Sequence, residues 1–197
     1  MAKKRRNTKG KIVSAAWELF YRQGYAETTV DEIIELSGTS KGSFYHYFKS
    51  KDELVGSLAY LFDEKYEELT AEVDPAMGSW DRLLFLNREL FTMIDNSIPR
   101  ELLAQLYASQ LLVKGEKELL DRQRLYFRLL RSIAEQGLRS GEFDPALSAE
   151  EIVRIYALCE RALLYDWCIC EGSYALPDYS ARLLPMLLSR LRAPGAV

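Results

Sequence analysis

The sequence predicts an all-α chain, and three observations carry that prediction. Apolar residues recur at helical spacing through most of the 197 residues, almost no run alternates in polarity, and the prolines and glycines punctuate the periodic segments instead of forming closely spaced hairpin turns. An apolar content of 48% supplies a real core, so the chain needs neither disulfide nor metal to fold.

Taken in order, a first helix spans about Thr8 to Gln23, with Ile12, Ala15, Ala16, Leu19 and Phe20 on one face and Gly24 as its stop. Thr29 followed by Glu32 is a capping box that opens a second helix over Val30 to Ser37, and Gly38 supplies the left-handed position that ends it. Ser40 caps a third helix. Val30, Ile33, Ile34 and Ser37 share one face, and Phe44, Tyr47 and Phe48 repeat the pattern beyond the turn, so the two helices can share a small core backed by the first. Ser50 with Glu53 predicts another capping box and a fourth helix running to about Glu72, where Asp74-Pro75 breaks it. Further segments follow over about Trp80 to Asn96, Pro99 to Val113, Glu116 to Ser140, Ser148 to Glu171 and Pro177 to Arg192. Pro185 falls inside the last of these and predicts a kink, or else a break.

The third helix is crowded with groups that can touch a nucleic-acid backbone. Lys41, Ser43, Tyr45 and His46 remain outward once the apolar face is packed. A helix presented this way fits the major groove of B-DNA, which displays a distinct donor and acceptor pattern for each base pair. Lys41, Lys49 and Lys51 can neutralise phosphates, and Thr28, Thr29 and Tyr45 can donate to phosphate oxygens. Charge is distributed to match. Up to Lys51 there are ten basic and five acidic residues, and the remainder carries 16 basic and 24 acidic ones, a basic head on an acidic body. Four of the ten lie in Lys3-Lys4-Arg5-Arg6, which a solubilising tail would explain equally well.

The run Gly24-Tyr25, Thr28-Thr29, Ile33, Gly38, Ser40-Lys41-Gly42-Ser43-Phe44-Tyr45-His46-Tyr47-Phe48 and Lys51-Asp52-Glu53-Leu54 resembles the N-terminal DNA-binding segment of the TetR family of transcriptional regulators. The resemblance covers roughly residues 8 to 56. Ser37 stands where such proteins usually carry Ala, and Thr39 where a Val is common; both changes bear on packing more than on DNA. The resemblance implies a three-helix helix-turn-helix headpiece followed by a helical ligand-binding and dimerisation body, divided as residues 1–50 and 51–197. It implies DNA contact from Thr28, Thr29, Thr39, Ser40, Lys41, Gly42, Ser43, Tyr45, His46, Lys49 and Lys51. It also implies a small-molecule effector held between the middle helices. Tyr107, Tyr126, Tyr156, Glu160 and Trp167 are the candidate contacts there, although ordinary core packing explains most aromatics at helical spacing.

The last two helices carry apolar residues on more than one side. One face of Ser148 to Glu171 bears Ile152, Ile155, Tyr156, Cys159, Leu163 and Trp167, and another bears Val153, Ala157, Leu164 and Cys168. Leu183, Leu184, Leu187, Leu188 and Leu191 likewise cover more than one face of the final helix. Helices of this kind must be buried twice, which predicts a four-helix homodimer interface built from residues 148–171 and 177–192 of each copy, or else a large monomeric core. A two-fold dimer sets its recognition helices about 34 to 36 Å apart or more, matching half-sites of a palindrome.

Catalysis finds little support. His46 is the sole histidine, so no Ser-His-Asp, Cys-His or multi-histidine metal site can be assembled elsewhere. Cys159, Cys168 and Cys170 read as buried thiols, no cofactor motif is present, and the absence of a secretion signal or an apolar span of bilayer length places the protein in a reducing cytoplasm. The reading is therefore a dimeric, ligand-responsive regulator of double-stranded DNA, a repressor released by its effector. Two competitors stay open: a helical adaptor that uses the hairpin to hold protein, and an enzyme using carboxylates of the acidic body.

Overall fold

A computed structural model describes residues 2–112 and 117–194, with side chains from Thr8 onward. Ten α-helices run through it: α1 (Ala2–Gln23), α2 (Val30–Ser37), α3 (Lys41–Tyr47), α4 (Lys51–Val55), α5 (Leu58–Glu72), α6 (Ser79–Ser97), α7 (Arg100–Leu112), α8 (Leu125–Ser140), α9 (Ala149–Ile169) and α10 (Leu176–Leu187). Short 3₁₀ turns occupy Glu118–Leu120 and Ser189–Leu191, and one isolated bridge joins Phe143 to Arg192. The chain forms two compact units, Met1–Tyr60 with Glu101–Glu118, and Leu61–Arg100 with Leu119–Val197.

In the first unit α1 packs on α2 and α3, and α2 packs on α3. Ile12, Ala16, Leu19 and Phe20 of α1 are buried together with Ile33 of α2, Phe44 of α3 and Leu54 of α4. The helix ends follow local chemistry. The Thr29 hydroxyl accepts the Glu32 N–H at 3.2 Å while the Thr29 N–H donates to the Glu32 carboxylate at 2.7 Å, completing the expected capping box. Gly38 stops α2 with φ at 61°, and Gly24 ends α1 with φ at 87°.

In the second unit α6 packs on α10 and α8, and α9 packs on α8 and α10. A second capping box, Ser148 with Glu151, opens α9. Gly137 is where α8 admits the Phe143 ring: a Cβ there would lie 2.3 Å from that ring and 2.9 Å from the Cβ of Ser79. Only glycine permits so close an approach.

Several expected boundaries moved, each for a physical reason. The helix expected from Ser50 to Glu72 is two helices. At the junction the Ser57 hydroxyl takes the Leu54 carbonyl at 2.5 Å, and the backbone bonds of Ser57, Ala59 and Tyr60 tighten to the residue three back. The Ser50 capping box does not form; Ser50 turns its hydroxyl to Asp52, and Glu53 accepts the Lys49 N–H instead. The segment expected from Glu116 becomes helical only at Leu125, because Asp121 accepts the Gln123 N–H in a local turn and Arg124 is extended. Glu116 itself, like Val113, lies outside the described residues. Helix α10 passes through Pro185 but ends at Leu187, short of Arg192. Helix α1 reaches back to Ala2, ahead of the expected start at Thr8; the side chains of Lys3 to Arg6 lie outside the described ones. The cysteines are less buried than expected: Cys159 and Cys168 are half-buried and Cys170 is exposed.

Candidate nucleic-acid interface

Helix α3 is held by its inner face. Phe44 is fully buried and Phe48 nearly so, and the two rings lie 6.0 Å apart. The Ser40 hydroxyl accepts the Ser43 N–H at 3.1 Å and shares a 2.9 Å bond with the Ser43 hydroxyl, fixing the first turn. On the outer side Lys41, Gly42, Tyr45 and His46 are exposed. Tyr45 stands edge-on to Phe44 with ring centroids 5.3 Å apart, and His46 stands edge-on to Tyr47 at 4.9 Å. A buried ring, Phe44, and a half-buried one, Tyr47, therefore orient the two exposed rings. A Cβ on Gly42 would meet nothing closer than the Ser40 hydroxyl at 4.0 Å, so the fold itself does not require glycine there.

The expected phosphate donors divide sharply. The Lys49 side chain is 91% exposed and 4.0 Å from Glu53, and Lys41 reaches Asp31 at 3.2 Å from a mainly exposed position; exposed pairs of this kind are worth little and give way to a phosphate at small cost. Lys51 is different. Its ammonium donates to the carbonyls of Tyr25 at 2.6 Å and Thr28 at 2.7 Å, and lies 4.2 Å from the Tyr25 ring centroid. It closes the turn between α1 and α2, and phosphate contact from this lysine gives way to a structural role. Asp52 accepts the Tyr25 hydroxyl on the same turn; burial, and then that carboxylate, push the phenol's pKa well up.

Thr28 is also turned inward. It is 1% exposed and its hydroxyl donates to the Gly24 carbonyl at 2.8 Å, which corrects the expectation of a phosphate contact from that side chain. Thr29 is exposed but engaged with Glu32. Thr39 is half-buried, and its hydroxyl lies 2.8 Å from that of Ser37, which also donates to the Ile34 carbonyl. The two positions that depart from the family pattern thus satisfy each other.

The candidate effector residues are only partly brought together. Glu160 is 4% exposed and accepts the Tyr126 hydroxyl at 2.6 Å, the Tyr156 hydroxyl at 2.9 Å and the Asn87 amide at 2.9 Å. Burial raises the carboxyl's pKa against those bonds, which act to lower it. Sequence reasoning missed Asn87, Ser180 and Tyr66, which belong to this cluster. The polar Asn87 on the buried face of α6, and Ser180 on that of α10, were the available signals. Trp167 points elsewhere and donates to the Tyr174 carbonyl at 3.0 Å, and Tyr107 lies on α7 in the first unit. Among the described residues no group of three or more His, Cys, Asp or Glu could hold a metal ion, and no helix is long and apolar enough to cross a membrane.

A strip of α9 is left uncovered within the chain. Both apolar faces named from the sequence are buried or half-buried, whereas Leu158, Ala162, Tyr165 and Ile169 form an exposed line, with Met186 and Leu187 exposed on α10.

Residues 12–58 match the family model described as bacterial regulatory proteins, tetR family. The chain is 25% identical over 163 residues to YhgD, a helix-turn-helix-type transcriptional regulator of Bacillus subtilis, covering 79% of this chain and 82% of that one. It is 42% identical over 62 residues to the helix-turn-helix-type regulator QacR of Staphylococcus aureus, about a third of each chain. In fold it is similar to a TetR-family regulator from Pectobacterium atrosepticum, with a TM-score of 0.75 at 18% identity and 98% of both chains covered.

Proposed function

We propose, from the premise that this chain belongs to the tetR family of bacterial regulatory proteins, that it is a homodimeric repressor whose α3 helices read a palindromic operator until a small-molecule effector releases them. It regulates transcription and is not an enzyme. One observation carries the reading of the interface. A capped short helix exposes Lys41, Tyr45 and His46 while Phe44 on its opposite side is fully buried, so the fold fixes the helix and leaves its polar surface free to enter a groove. Gly42 adds a place where main chain can approach a phosphate closely. The function places the protein in the cytoplasm, beside the DNA.

Selection from a random duplex pool, followed by fluorescence anisotropy across salt concentrations, tests this. A palindromic consensus and a steep salt dependence are expected, each phosphate contact adding about 0.9 to the slope. Lys49→Ala should lower that slope by roughly one unit on every sequence. Lys51→Ala should instead leave the slope in place and lower the melting temperature. Indifference to duplex DNA at low ionic strength, with no effector present, would overturn the regulator.

The uncovered line on α9, with Met186 and Leu187 of α10, supports a two-fold contact between copies. Tyr165→Glu would place a charge in that contact. Light scattering should then report a monomer, and operator affinity should fall about 10²- to 10⁴-fold as bivalent reading is lost. A variant that stays dimeric would move the interface elsewhere. Release follows from linkage: an effector favouring a dimer geometry unsuited to the operator weakens DNA binding by the coupling factor it enjoys, typically about 1 to 3 kcal/mol.

A further inference from the structure

Helix α1 begins at Ala2, and its segment from there to Lys11 includes Lys3, Lys4, Arg5, Arg6, Lys9 and Lys11 but no acid. Glu18 is the first acidic residue of the helix. This is the wrong charge for a helix start standing alone: the first turn is already the positive end of the macrodipole, and Lys3 and Arg6, three apart, repel each other. A start favoured by its own sequence would carry Asp or Glu. Packing at Gly10 does not offset the repulsion, because a Cβ there would meet nothing within 4 Å, and glycine itself weakens a helix interior. The pattern becomes favourable when a polyanion neutralises it.

A second observation fixes where this segment is rooted. The Lys9 ammonium lies 5.7 Å from the Phe48 ring centroid and 5.9 Å from that of Tyr60, within cation–π range of both. Phe48 is the C-cap of α3, the helix whose outer surface carries Tyr45 and His46. The basic segment therefore leaves the first unit beside the end of the recognition helix, and Ala2 lies about 10 Å further along the axis of α1. It also lies ahead of residue 12, where the match to the family model begins, so membership of the family assigns it no role.

We propose that the first turns of α1 form a second DNA-contact element, a basic helix that holds the phosphates of the duplex flanking each half-site and has no sequence preference of its own. The proposal rests on the DNA-reading assignment of α3 and extends the bound surface beyond it. Phosphates of one strand follow each other every 3.4 Å or so along the duplex axis, so a helical turn of four cations can meet about two or three of them. A disordered tail of the same composition would attract DNA without a fixed place along it. An anionic membrane fits less well, since a helix that lies in a bilayer surface needs an exposed apolar face, and Ile12, Ala16, Leu19 and Phe20 of α1 are already buried in the first unit.

The test uses the full-length protein and its selected palindrome, either trimmed to the half-sites or extended by about six base pairs of arbitrary sequence on each side. Wild type should bind the extended duplex about ten-fold or more tightly than the trimmed one at low salt, whatever the flanking sequence. In a variant combining Lys3→Gln, Lys4→Gln, Arg5→Gln and Arg6→Gln the two duplexes should bind alike, and the salt slope on the extended one should fall by about 4 to 5, two or three phosphates in each copy at about 0.9 apiece. Asn7→Pro keeps every charge but interrupts the helix, and it should lose the flank advantage as well, which a disordered tail would not. An unchanged slope in the Gln variant, equal binding of both duplexes by wild type, or a full flank advantage in Asn7→Pro would overturn the proposal. So would phosphatidylglycerol vesicles bound by wild type and ignored by the Gln variant while flanks make no difference, a result that assigns the charge to lipid. Both variants should select the same palindrome, because α3 is untouched. A protein that ignores duplex DNA altogether sinks the regulator, whereas one that binds its palindrome regardless of flanks loses only this element.

Discussion

Asp63→Ala is expected to destabilise the second unit by about 3 to 5 kcal/mol, because it removes the bidentate partner of a charge that has been taken out of water. The Arg124 guanidinium is 7% exposed and grips Asp63 through two parallel bonds, Nε to Oδ2 at 3.0 Å and one terminal nitrogen to Oδ1 at 2.9 Å. The same carboxylate accepts the Tyr126 N–H at 3.2 Å and so serves an orphan donor at the start of α8. Removing it takes the bidentate partner from a buried cation and leaves the Tyr126 N–H without its acceptor. Urea unfolding should show the full loss for Asp63→Ala and a comparable one for Arg124→Ala, whereas Asp63→Ala combined with Arg124→Met should recover most of it, since the penalty belongs to a buried charge deprived of its carboxylate. A cost below about 1 kcal/mol for the single change would mean that Arg124 escapes to solvent.

Phe44→Ala is expected to cost a similar amount, about 3 to 5 kcal/mol, and to abolish DNA binding on every sequence. Phe44 is fully buried and is the side chain through which α3 is seated against the first unit. Its neighbour Tyr45 is 49% exposed and touches it only edge-on. Tyr45→Ala should therefore leave stability within about 0.5 kcal/mol while weakening DNA binding. The two adjacent aromatics separate holding the helix from reading with it. Retention of full operator affinity by Phe44→Ala would place the DNA contact on some other element.

Much of the interface was legible because its signals are local. A Thr three residues before a Glu, a glycine at a helix end and aromatics three and four apart act within one or two turns, so α2, its caps and the buried side of α3 could be read directly. The fate of Lys51 was not legible. Nothing within its own helix shows that its ammonium is drawn to the carbonyls of Tyr25 and Thr28, some two dozen residues earlier. The start of α8 was hidden for a related reason: the residues before it have acceptable helix propensity, but the Asp121 turn and the reach of Arg124 to Asp63 override it. The Glu160 cluster was half visible, as two tyrosines and an acid. Its amide and serine lie on other helices, 73 and 20 residues away along the chain.

The residues alone determined the helical class, the capped two-helix turn with its polar surface, and the concentration of positive charge in the first quarter of the chain, because periodicity, caps and charge order are properties of neighbours along the backbone. Tertiary packing alone decided which lysines stay exposed, which side of α9 is left bare and which acid is buried without a cation. Those outcomes depend on side chains that meet only after distant segments have come together, where the loss of water sets what each polar group must find.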